Sequence, residues 1–138
     1  MQNLFISKED EFKIEICVAI DKDGVTYCDI SRDVLLQSIS GFVDISMCEI
    51  KDYNMVFKKP SFGDMVGMYN PIFIVDGEYI DNSNQLSDRY KKIILLIRRW
   101  NLTKDGSFKK PTEEEIKNLH PLIANTVGIQ LDQEVGNF

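Results

Sequence analysis

The chain has 138 residues, 43% of them hydrophobic and 28% charged, with a net charge of −6; that is one domain's worth, long enough to bury a real core. An acidic balance opposes nucleic-acid binding, and the longest apolar run, residues 93–97, falls far short of the roughly 20 residues a membrane helix needs. The N-terminal MQNLFISKEDEF has no basic segment leading into an apolar one, so no signal peptide is read there and a cytoplasmic protein is expected.

Phe12, Ile14, Ile16, Val18 and Ile20 fall at every second position and point one way, the period of a half-buried strand. Asp21-Lys22-Asp23-Gly24 and the β-rich Val25 to Ile30 follow, and the pair reads as a hairpin. DKDG matches the first half of a calcium loop, yet the further Asp/Asn, the glycine and the distal Glu are missing, so a tight turn is expected. A loop centred on Lys22-Asp23 sets Cys17 opposite Cys28, whereas an Asp23-Gly24 type I′ turn does not; the sequence leaves both open. With Cys48, the three cysteines are too few and too scattered for a disulfide framework or a CxxC metal site, and read as free thiols.

Ser31 can cap a short helix over residues 32–38. Residues 43–59 return to strand character, with Val43, Ile45 and Met47 alternating, until Pro60 and Gly63 interrupt. SFGDMVGMYNP reads as a turn-rich connection with room for one helical turn. Residues 72–80 form either a hairpin around Asp76-Gly77 or a strand followed by a loop.

From residue 82 the period changes. Leu86, Tyr90, Ile93, Ile97 and Trp100 recur at spacings of four and three, which predicts a helix over 83–101 with Asp81 or Ser83 as cap. Lys104-Asp105-Gly106 ends that segment. Thr112 and Glu115 make a capping box after Pro111, with three carboxylates at the positive end of the helix dipole. Ile116 and Leu119 face inward, and Pro121 restarts or kinks the helix through Leu122, Ile123 and Val127. The tail QLDQEVGNF is expected to fray. The expected fold is therefore α+β: a small, mainly antiparallel N-terminal sheet packed against one long and one or two shorter C-terminal helices. Residues 1–138 form one domain, with 1–80 β-rich, 81–130 helical and 131–138 a tail.

No motif for catalysis, nucleotide binding or metal ligation is present, and His120, the one histidine, reads as a loop residue between two helices. No enzyme, cofactor or metal is expected. Charge is more informative. Residues 1–80 hold 7 Lys/Arg against 14 Asp/Glu, residues 81–110 hold 8 against 3, and residues 111–138 hold 1 against 5. On the predicted helix, Lys91, Lys92, Arg98 and Arg99 are the i−4, i−3, i+3 and i+4 neighbours of Leu95. An outward leucine ringed by cations suits protein docking, since burying it in a partner contributes about 2 kcal/mol. The alternative is that this face packs against the acidic 113–115 turn or the N-terminal sheet.

Trp100-Asn101-Leu102-Thr103, the Asp105-Gly106 turn, Pro111-Thr112-Glu113-Glu114-Glu115-Ile116 and Leu119-His120-Pro121 together resemble the C-terminal half of small tailed-bacteriophage morphogenesis proteins, especially tail assembly chaperones. The resemblance covers residues 86–127. It implies a non-enzymatic protein that binds the tape-measure protein and tube subunits in the host cytoplasm while the tail is built. The Leu95 patch is then the candidate surface, with its cations steering an acidic partner; self-association stands beside these contacts. The β-rich N-terminal half keeps a second reading open, a structural or accessory protein of the virion tail or neck. A phage-encoded binder of a host protein is the third.

Overall fold

A computed structural model describes residues 4–68, 72–75, 77–81 and 85–136. Its elements, in chain order, are β1 (Glu11–Ile20), β2 (Thr26–Asp29), α1 (Arg32–Ile39), a 3-10 turn (Ile45–Met47), β3 (Glu49–Lys58), α2 (Phe62–Met68), β4 (Ile72–Val75), β5 (Glu78–Asp81), α3 (Gln85–Leu96), β6 (Ile97–Trp100), α4 (Glu113–Lys117) and α5 (Pro121–Gly136). The fold is α+β, as the periodicities predict.

β2, β1, β3 and β6 form, in that spatial order, one antiparallel sheet. Alternation decides its two faces. Ile14, Ile16 and Val18 lie opposite Met55, Tyr53 and Lys51, and Phe12 stacks on Phe57 across the strands, ring centroids 5.6 Å apart. This face carries the main core, closed by Ile93 and Leu96 of α3, Ile116 of α4, and Ile123, Val127, Leu131 and Val135 of α5. Ile20, at the end of the stripe, runs out from under the helices and is 40% exposed. On the opposite face Cys17 and Ala19 pack with Leu35 and Ile39 of α1 in a smaller core.

The first hairpin pairs Val18 with Cys28 and Cys17 with Asp29. Asp21 organises the loop, its carboxylate accepting from the amides of Asp23 and Val25, both at 2.9 Å, and Gly24 takes φ +83°, a conformation glycine adopts without a Cβ penalty. The two thiols therefore project from opposite faces of the sheet and cannot bridge. Burial pushes the Cys17 thiol up to about 11, with Asp52 adding to the shift, so it stays protonated and inert at neutral pH.

Several expectations are met locally. Ser31 caps α1 by accepting from Val34 N at 3.2 Å. Thr112 and Glu115 form the reciprocal capping box of α4. Residues 72–75 and 78–81 pair as a hairpin with Val75 opposite Glu78, and Gly77 takes φ +76°; Asp76 lies outside the described residues, as does Ser83.

Four expectations are corrected. Val43, Ile45 and Met47 belong to no strand, because Asp44 accepts from Ser46 N and nucleates the 3-10 turn. The helix expected over 83–101 stops at Leu96, and Ile97–Trp100 is the edge strand β6. Asp105-Gly106 is consequently no helix end: it turns the chain so that Lys109 pairs with Trp100, N to O at 2.9 and 3.0 Å. Through Gly136 the tail does not fray, since α5 continues to that residue with Leu131 and Val135 buried; residues 137–138 lie outside the described residues.

Candidate functional site

The ring of cations expected around Leu95 is not formed, because Arg98 and Arg99 lie on a strand and no longer follow the helical spacing. Arg99 projects from the outer face of the sheet and pairs with Glu11 at 3.0 Å, while Arg98 donates to the carbonyl of Lys8. Lys91 is 1% exposed, and burial lowers its pKa against the pull of Asp88. Lys92 sits between Asp88 and Asp132, 2.8 Å from each; burial pushes its pKa down, but the bonds to those carboxylates outweigh this and raise it. Leu95 is outward, at 42% exposure. Lys92 is tied to Asp88 and Asp132, and Arg98 and Arg99 contact the N-terminal segment and β1.

Lys92 belongs to the seam between α3 and α5. Arg89 lies along it with its stem against Gly128, its guanidinium bonded to Asn125 and 3.6 Å from Asp132. Gly128 is needed there: a Cβ would stand 2.5 Å from Arg89 Cδ. This seam fixes α5 over the sheet and leaves the far end of the core face uncovered.

That uncovered end is an open cleft of about 640 Å³. Val18 and Ile20 of β1 and Tyr53 of β3 form its floor, and Leu102 and Ile123 its walls. Thr26, Lys51, Thr103, Lys104, Lys109, Glu115 and His120 form its rim. The rim holds three lysines against one carboxylate. Lys109 is 2.7 Å from Glu115, whose other oxygen is bound in the capping box, and Lys51 is 3.3 Å from Glu49. The bond from Lys109 is the main cause holding the Glu115 carboxyl below its ordinary range. His120 Nδ1 accepts from Leu122 N at 3.1 Å, so the imidazole caps α5. Lys51, Lys109, Glu115 and His120 of the rim are thus engaged in pairing and capping around an apolar floor.

None of the five residues expected to bind a partner lines this cleft. Its walls come from β1, β2, β3, the 102–109 loop, α4 and α5, so its signal in sequence was only that Ile20 ends a stripe and that residues 81–110 are basic. Among the described residues no group of three or more His, Cys, Asp or Glu side chains is placed to hold a metal ion, and no helix is long and apolar enough to cross a membrane. No family model, curated protein or solved structure matches the chain.

Proposed function

We propose that the chain is a non-enzymatic binding protein that takes an acidic, partly apolar peptide segment in the cleft between β1, β3 and α5, and that it serves phage tail morphogenesis as an assembly chaperone. The observation that carries the binding reading is the pairing of an apolar floor (Val18, Ile20, Tyr53) with a lysine rim (Lys51, Lys104, Lys109). Apolar side chains gain by leaving water, and the rim selects acidic flanks and speeds encounter. Support for the tail role is the resemblance of residues 86–127, several of whose motif residues (Leu102, Thr103, Glu115 and His120) line this cleft. The partner is then the tape-measure protein or the tube subunit, held in the host cytoplasm before assembly.

The test is co-expression with the tape-measure protein of the same genome. The complex should co-purify, and a Lys51→Glu, Lys104→Glu variant should weaken it most at low salt, where rim charges are least screened. Failure to co-purify, together with stoichiometric presence in purified particles by mass spectrometry, would establish the virion structural reading instead.

A further inference from the structure

We propose that the acidic, apolar patch around Phe42 takes the basic segment around Phe108 of a second copy, a contact independent of the cleft. The patch lies at the β2 edge of the sheet, on the face that α1 covers. Phe42, 69% exposed, leans on Tyr27 of β2 with ring centroids 5.9 Å apart, and Tyr27 is backed by the smaller core. Met47, 56% exposed, completes an apolar hollow of about 200 Å³. Large apolar side chains left in water beside one another mark an interaction surface. Asp21, Asp23 and Asp44 surround the hollow, against Lys22 alone. Amides of the local turns hold Asp21 and Asp44 in place, which leaves their negative charge intact. The Asp23 carboxylate makes no hydrogen bond or ion pair among the described residues.

The occupant follows from the charge that the basic stretch 81–110 leaves unpaired. Of its eight cations, six are buried, paired with carboxylates or bonded to a carbonyl. Lys104 and Lys110 have no ion pair among the described residues, and they flank Phe108, which is 49% exposed. Lys109 bridges to Trp100 and turns its side chain to Glu115. Neighbouring side chains of an extended segment alternate, so Phe108 and Lys110 share the side away from Glu115. One molecule does not bring this pair to the patch. The Lys109 bridge lies beyond β6, and β2 is the opposite edge of the sheet. Four strand spacings of about 4.8 Å separate them by roughly 19 Å, beyond side-chain reach. Between two copies the surfaces match: Phe108 enters beside Phe42 and Met47, and Lys110 arrives at Asp23. The apolar burial supplies affinity and the charges set orientation. Because the two surfaces differ, the contact is heterologous and runs head to tail.

Sedimentation velocity with charge reversal tests this. The mass of the full chain should grow with concentration, and less steeply at high salt. Asp23→Lys and Lys110→Glu should each weaken association by about tenfold or more, since like charges then face each other. Both positions are exposed and without side-chain bonds among the described residues, so circular dichroism of each variant should match the parent. Mixed in equal amounts, the two variants should associate again, because every contact between unlike variants joins opposite charges. Phe42→Ser and Phe108→Ser should each leave the chain monomeric. A parent chain that is monomeric at every concentration would overturn the proposal and leave the patch to a foreign basic segment. Association that survives either charge reversal, or a mixture no better than its components, would show that Asp23 and Lys110 do not meet and would overturn it equally.

Discussion

Trp100 is 2% exposed, and its indole Nε1 is buried without a hydrogen-bond partner among the described residues. The ring fills the core between Met55 and the helices, while the N–H carries a desolvation cost of about 1–3 kcal/mol. Two substitutions therefore separate packing from polarity. Trp100→Ala should lower the unfolding free energy by about 3–5 kcal/mol. Trp100→Phe should cost less than about 1 kcal/mol, because losing the second ring is offset by removing the orphan donor; urea denaturation of the pair checks both. Gly128 poses the opposite question. Alanine would gain about 1 kcal/mol of helix propensity, but its Cβ would meet Arg89 at Cδ, Cγ and Cβ, 2.5, 2.8 and 3.1 Å away. The whole stem must then shift and the guanidinium leave Asn125 and Asp132. Gly128→Ala should therefore destabilise by about 1–2 kcal/mol, and should instead stabilise in an Arg89→Ala background, a sign reversal that a double-mutant cycle reads directly.

Elements whose signal is local were legible in the sequence: the Ser31 cap, the Thr112–Glu115 box and the alternation of β1 all appear where the pattern places them. β6 was not, for a specific reason. The β3–β6 register slips between Val56 and Phe57, Ile97 facing Phe57 and Arg99 facing Val56, which leaves Arg98 as the extra residue. A bulge lets two residues three apart, Ile97 and Trp100, share one face of a strand, and this imitates the helical i, i+3 spacing. The helical spacing expected around Leu95 ends before that bulge. Of the cations expected there, Lys92 belongs to a testable seam between α3 and α5. Lys92 has a folded pKa raised above the ordinary lysine value of 10.5 by Asp132 and Asp88, despite burial. Its contribution is thus fully present below pH 10.5 and is lost as pH rises through the folded value. Lys92→Met should cost about 1–2 kcal/mol at pH 8, and the difference from the parent protein should vanish at alkaline pH. A difference that stays constant through the lysine range would mean the methylenes, not the charge, stabilise the seam.

For the whole molecule, the two ends of the chain have opposite standing, and composition did not reveal it. Residues 130–136 look polar, with QLDQEVG holding two carboxylates, yet Leu131 and Val135 continue the four-residue stripe of Ile123 and Val127 and close the core over β1 and β2. Asp132, between them, supplies the carboxylate that Lys92 and Arg89 share. Leu4 and Phe5 look like core residues and are exposed. Two truncations follow from this inversion. Ending the chain at Gln130 removes two buried apolar side chains, worth about 1.5–3 kcal/mol each by burial alone, and also breaks the α3–α5 seam. Against a total stability of about 5–15 kcal/mol, that loss should leave the 1–130 chain largely unfolded at 37 °C by circular dichroism. Removing residues 1–6 leaves the Ser7–Asp10 turn and its bonds to Lys59 and Arg98 in place. The melting temperature should then hold within about 2 °C. A 1–130 chain that melts with the parent would show that the stripe ends at Val127; a shortened N-terminus that lowers the melting temperature would show that residues 1–6 contribute packing to the body.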